Sequence, residues 1–180
     1  MLSRARGVRV EPRIVAAGDE NRQVGYTSLP FNLNPYLAEF LRPTLVSGAV
    51  RPAAGEYDVV FDSPSSATAG RFSFRYWIDD ARPPSLRLLT RRIARGGTLL
   101  VRARDTGSGV DPATVVATLD GRRVRARYGN GVLRIAAGPL ARGRHRLVLQ
   151  VSDYQETRNQ ENVPRILPNT SRLSAVFVVR

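Results

Sequence analysis

The sequence predicts an all-β chain made of two tandem β-sandwich domains, the second immunoglobulin-like with about seven strands. Three observations support that expectation. Short segments alternate apolar and polar residues with a period of two, the pattern of a strand with one face buried. Turn signals such as Asp120-Gly121 and Gly129-Asn130-Gly131 punctuate them. Pro83-Pro84 cannot continue a strand ladder and holds its neighbours extended, so it marks a boundary between residues 1–80 and 81–180.

The first half reads as a less regular, degenerate sandwich. "RVEPRIV", "RQVGYTSL", "TLVSGAV", "EYDVVFDS" and "RFSFRYWI" have strand character. In the last of these, Phe72, Phe74 and Tyr76 share one face and Trp77 takes the other. "NPYLAEFL" predicts a short helix over 35–41, with Asn34 as N-cap and Pro35 in the first helical position. The second half is more regular. Leu86 and Leu88 alternate with Arg87, and Leu99, Val101 and Ala103 with Leu100, Arg102 and Arg104. "TVVATL" (114–119), "RRVRARY" (122–128), "VLRIA" (132–136), "HRLVLQVS" (145–152) and "LSAVFVV" (173–179) complete the set. Each half is long enough to bury a core without disulfides.

The chain has 180 residues and a net charge of +13, with no cysteine, which excludes thiol catalysis and thiolate metal sites. The 28 basic residues are all Arg, and with abundant Ala, Gly, Val and Pro they fit the codon bias of a GC-rich genome. Residues 1–80 balance 9 Arg against 9 acids, whereas residues 81–180 hold 19 Arg and 6 acids, so the excess of 19 − 6 = 13 lies in the second half. "MLSRARGVRVEPR" lacks the apolar core of about 7–15 residues that a signal peptide needs. No run of about 18 apolar residues predicts membrane insertion.

"RARDTGSGVDP" (102–112) contains Asp-Thr-Gly-Ser, the signature of an aspartic-protease loop. That chemistry needs two such loops sharing a proton between their carboxyls. The one internal match, "VVFDSPSS" (59–66), places Pro64 where a glycine is required, and Asp105 follows "RAR" instead of an apolar pair. The lone His145 is in phase with Leu147 and Leu149, which predicts a histidine at the core edge. No nucleophile elbow, phosphate loop or paired-His metal spacing occurs, and "NTS" (169–171) is only formally a glycosylation sequon. The chain is therefore expected not to be an enzyme.

With its neighbours the same stretch takes on another meaning. Asp105-x-Gly107-Ser108-Gly109-Val110-Asp111-Pro112 is followed by Asp120-Gly121. Leu140, Gly143, His145, Leu147 and Val151 come next, ending in Asp153. Residues 80–180 thereby resemble the bacterial immunoglobulin-like modules of large secreted and surface proteins, with a fibronectin III- or cadherin-like fold. Residues 45–80, with "GEYDVVFDSP" and "RFSFRYWIDD", are similar in style to modules that trail extracellular subtilisin-like proteases. The resemblance implies a non-catalytic spacer, docking or adhesion segment at the cell surface, within a longer exported protein, contacting a protein or cell-wall partner. Residues 153–171 depart from the pattern, because such modules turn tightly there.

The sandwich topology gives the charged residues places. Arg87, Arg102, Arg104 and Arg134 are expected on the outer face of one sheet, and Arg123, Arg125, Arg127, Arg144 and Arg146 on that of the other. Spread over two faces with little aromatic company, they read as solvated, and nucleic acid is not the expected partner. The alternative is a polyanion-binding module, for nucleic acid or acidic wall polymer, using the second group. The acids concentrate instead. Asp105 and Asp111 lie in one loop, and Asp153, Glu156 and Glu161 in another. Both loops are expected at the end that receives Asp79 and Asp80. No cofactor is expected, but Asp79, Asp80, Asp105, Asp111 and Asp153 offer oxygen ligands suited to Ca²⁺. The competing account pairs the acids with Arg82, Arg104 and Arg158 and with backbone N–H groups of their own turns. Long loops are often functional. Tyr154, Glu156, Arg158, Asn159 and Glu161, together with the 105–112 loop, are thus the expected partner-contact surface.

Overall fold

The computed structural model describes residues 2–18, 54–78, 80–154 and 169–180. The chain divides into two compact units, Met1–Tyr76 and Trp77–Arg180. The helix expected over 35–41 and the strands expected in "RQVGYTSL" and "TLVSGAV" lie outside the described residues. Among those described, the complete elements are strands and one 3-10 turn, and Tyr154 has a helical backbone. No helix among them is long and apolar enough to cross a membrane.

In the first unit, β1 (Leu2–Arg4) pairs antiparallel with β4 (Phe72–Phe74), and β2 (Glu11–Ala16) with β3 (Tyr57–Asp62). Among its described residues, Leu2, Val10 and Val15 are buried apolar side chains. Phe61 of β3 packs its ring against Phe72 and Phe74 at centroid distances of 4.8 and 4.9 Å, drawing the two strand pairs together. Asp62, the residue that mimics a second protease loop, accepts from Arg13 Nε at 2.9 Å, a cross-strand ion pair.

The second unit is a β-sandwich. Its strands are β5 (Ser85–Leu88), β6 (Arg92–Ile93), β7 (Thr98–Arg104), β8 (Val116–Leu119) and β9 (Arg122–Val124). They continue with β10 (Ala126–Gly129), β11 (Val132–Ala136), β12 (Gly143–Ser152) and β13 (Thr170–Val179). A four-stranded sheet runs β10-β11-β7-β5, and a five-stranded sheet runs β6-β13-β12-β8-β9. The period-two alternation places Leu99, Val101, Leu133 and Ile135 on the inner face of the first sheet. Leu119, Leu147, Leu149 and Phe177 occupy the inner face of the second, and all eight are at most 2% exposed within one core. Each such side chain contributes about 1.5–3 kcal/mol on burial.

The immunoglobulin-like character lies in how the chain changes sheets. Leu89 N–H still donates to Leu100 O in the first sheet, but Arg91 O already accepts from Val178 N–H in the second. β6 then runs parallel to the end of β13. A second switch corrects the expectation of one strand over 122–128. β9 pairs with β8, β10 pairs with β11 in the opposite sheet, and the chain crosses at Arg125. Alternation persists through the crossing, so the sequence period alone does not reveal it. Both predicted turns form hairpins with positive φ at their centres, Asp120-Gly121 at 48° and 82° and Asn130-Gly131 at 51° and 73°.

The Asp120 turn also fixes His145. Asp120 Oδ1 accepts Arg146 N–H at 2.8 Å and Oδ2 lies 2.6 Å from His145 Nδ1, while His145 Nε2 lies 2.8 Å from Ala141 O. The ring packs on Phe177 at 5.7 Å. With an oxygen beside each nitrogen, the cationic imidazole is favoured. The Asp120 contact, then the Ala141 carbonyl, raise its pKa above the ordinary 6.5. The Arg146 N–H and His145 in turn lower that of Asp120. The His145 contribution to stability is therefore full below about pH 6.5 and is lost as pH rises through the elevated folded value. Urea midpoints measured at about pH 5.5 and about pH 8.5 should fall with pH in the wild type, and His145→Gln should flatten that difference.

Candidate functional site

All six buried polar residues among those described gather at one end of the sandwich: Asp80, Ser108, Asp111, Ser152, Asp153 and Asn169. It is the end where β7 leaves its sheet, β12 finishes and β13 begins, opposite along β12 to the His145 pair. The loop after β7 is organised by its own acids. Asp105 Oδ1 accepts N–H bonds from Gly107 and Gly109 at 3.0 and 2.7 Å. Asp111 Oδ1 accepts from Ala113 N–H at 2.9 Å and caps the 3-10 turn Pro112–Thr114. The Thr114 hydroxyl and the Ser152 backbone exchange hydrogen bonds, and Asp111 N–H donates to Ser152 O. Val110 and Asp153 form an isolated bridge, and Tyr154 N–H donates to Gly109 O. The loop is thus stitched to the end of β12.

Asp80 reaches into this loop from the entry segment. Its Oδ2 accepts Ser108 N–H at 2.6 Å and its Oδ1 accepts Arg82 N–H at 3.2 Å. Burial alone would raise its pKa, but the Ser108 contacts, the Arg82 N–H and the Asp153 side chain hold it below the ordinary carboxylate value. Asn169 Nδ2 donates to Asp80 O, and Ser171 Oγ to Pro84 O. Asp80, Asp105 and Asp153 each bring one carboxylate oxygen to within 4.8 Å of the others, an all-oxygen donor set. Asp153 is wholly buried, and its side chain meets that of Asp80. Two buried carboxylates in contact require a shared proton or a cation between them.

The structure therefore brings together three of the five acids named as Ca²⁺ candidates. Asp111 is outside the group, its carboxylate committed to the cap, and Asp79 lies outside the described residues. Of the expected contact surface, Glu156, Arg158, Asn159 and Glu161 also lie outside the described residues. Tyr154 is half-buried and stacks on Trp77 at 6.4 Å. In the 105–112 loop Ser108, Gly109, Val110 and Asp111 are buried, whereas Thr106, Gly107 and Pro112 are exposed. Ser108 and Asn169 escaped sequence reasoning. The signal at Asn169 was the "NTS" triplet, whose asparagine is fully buried and so cannot serve as a sequon.

The arginines of the polyanion alternative do not share a face. Arg127 lies opposite Arg134 on the four-stranded sheet, and Arg134 neighbours Leu100 of β7. Arg123, by contrast, pairs with Thr118 in the five-stranded sheet, as Arg144 and Arg146 pair with Val178 and Val176. The crossing at Arg125 separates them.

No protein-family model matches the chain, and no curated protein matches it either. Among solved structures, the crystal structure of CopC from Methylosinus trichosporium OB3b is similar at 17% identity and a TM-score of 0.34. The match covers 59% of this chain and 93% of that one. A likeness at that level assigns neither fold nor ligand, and the sandwich assignment rests on strand order and core.

Proposed function

We propose that the chain is a non-catalytic accessory segment of an extracellular bacterial protein, a spacer that docks and does not react. One observation carries the reading: the Asp-Thr-Gly-Ser loop spends its carboxylate on itself. Asp105 Oδ1 holds the Gly107 and Gly109 N–H groups, and Ser108 is buried beneath the loop. A catalytic carboxylate presents an oxygen to substrate in a cleft, whereas this one closes a turn. The resemblance of residues 80–180 to modules of secreted and surface proteins supports the extracellular setting. The test is an assay of the purified chain against unfolded protein and chromogenic ester and glycoside substrates, from acidic to neutral pH. No turnover is expected. Turnover that disappears in Asp105→Asn would overturn the reading.

The three-carboxylate group favours a second, finer reading, in which Ca²⁺ stiffens this end of the module. The oxygens of Asp80, Asp105 and Asp153 would hold a hard cation and relieve the repulsion between them. Calorimetry in Ca²⁺ and in chelator is expected to show a higher melting temperature with the ion. By mass action, a free concentration a hundredfold above Kd stabilises by about 2.7 kcal/mol. Asp153→Asn should abolish the increment. Superimposable wild-type curves would leave the shared proton as the correct account.

A further inference from the structure

We propose that the open seam between β5 and β13 is a docking groove for an extended segment of a partner protein that alternates acidic and aliphatic residues. The inference rests on the accessory reading and names the class of partner. β13 pairs with β12 along its whole length, but among the described residues it has a second neighbour only at Val178 and Val179, where β6 runs beside it. β5, which precedes β6 in the chain, is committed to the opposite sheet. Ser171 is held at its start by Pro84 O, so the stretch of the β13 edge without a strand partner among the described residues runs from Arg172 to Val176. Val178 and Arg180 direct their N–H groups towards β6, to Arg91 O and Ile93 O. Period-two alternation turns the N–H groups of Arg172, Ser174 and Val176 the same way, into the seam.

The seam is a groove of about 790 Å³ with two kinds of lining. Leu86, Leu88, Leu89, Leu173 and Val176 supply the apolar part, with Leu89 39% and Val176 49% exposed. Arg87, Arg91, Arg92 and Arg144 rim it, all exposed, and no carboxylate is among the lining residues. A long open edge beside exposed aliphatics is a template for strand pairing that proteins ordinarily guard. Here the guard is cationic, and it selects the occupant. A second copy would bring the same four arginines against these. A bare polyanion would pair the guanidinium groups and leave the leucines wet. A partner strand with alternate carboxylates and aliphatic side chains satisfies the edge N–H and C=O groups, the apolar lining and the rim together.

Fluorescence anisotropy on the full chain tests this with a labelled ten-residue peptide alternating Glu with Val and Leu. Saturable binding in the micromolar range is expected, weakening with salt. Arg91→Glu/Arg144→Glu should weaken it at least tenfold with an unchanged melting temperature. Ser174→Pro, which removes one edge N–H and the Arg146 Nε–Ser174 Oγ bond but leaves the backbone ladder to β12, should weaken it several-fold and supplies an independent variant. Absence of saturable binding, equal binding of inorganic polyphosphate or of a shuffled peptide with its Glu in one block, or indifference to both variants would overturn the proposal. So would sedimentation showing that the seam is filled by a second copy. Capture of native cell-surface proteins by wild type and by Arg91→Glu/Arg144→Glu separates the two levels. Equal capture by both removes the groove and keeps the accessory reading, whereas no capture by wild type removes the accessory reading itself.

Discussion

Gly107→Ala is expected to destabilise the C-terminal unit by about 2–4 kcal/mol, although the residue is exposed and its backbone is outside the left-handed region. A Cβ built there falls inside the van der Waals shell of the Asp80 carboxyl carbon and both its oxygens. Asp80 is 7% exposed and tied by N–H bonds from Ser108 and Arg82, so it cannot swing aside without releasing them. Each hydrogen bond to a charged group is worth about 1.5–3 kcal/mol, and a buried N–H left alone costs a further penalty. Asp80→Ala should cost a similar amount. The pair should be strongly non-additive, with the double variant no worse than the poorer single one, because both changes remove the same interaction. Denaturant unfolding of the four proteins checks this, and additive losses would show that Gly107 matters for another reason.

The second large effect is expected at Phe177→Ala. Phe177 is 1% exposed, lies opposite His145 across the β12–β13 ladder and packs tilted against its ring. Truncating a buried Phe costs about 3–5 kcal/mol. For a domain of this size the loss corresponds to a fall in melting temperature of about 12–30 °C. The adjacent Val176 faces outward and is 49% exposed, so Val176→Thr should change stability by less than about 0.5 kcal/mol. Inverse results would mean that the register of β13 is shifted by one residue, which exchanges its two faces.

The inner face of β12 and both hairpin turns were legible in the sequence because each depends on neighbours a few positions apart. Leu147, Leu149 and Val151 announce themselves by period, and Asp120-Gly121 by chemistry. The concentration of Asp105 and Asp153 at one end followed from topology, once a sandwich was assumed. What was not legible is non-local. The crossing at Arg125 preserves alternation while changing sheets, so Arg127 looked like a neighbour of Arg123 and is a neighbour of Arg134. Ser108 and Asn169 are small polar residues in turn-like contexts, and their contacts with Asp80 come from far away in sequence. Asp105 did carry its local meaning openly: an Asp two residues before a Gly, in a Gly-rich loop, is more simply a turn anchor than an acid catalyst.

If the chain serves as a spacer, it carries load, and the polar end determines where tension is first felt. A pull entering ahead of Trp77 reaches the bonds of Asp80 to Ser108 and Asn169, and that of Pro84 to Ser171, before it reaches the first ladder pair of β5. Those bonds tie the entry segment to the loop after β7 and to the start of β13, so the strain spreads into both sheets at once. The buried Asp80 carboxylate is then the first side chain that such a pull would load.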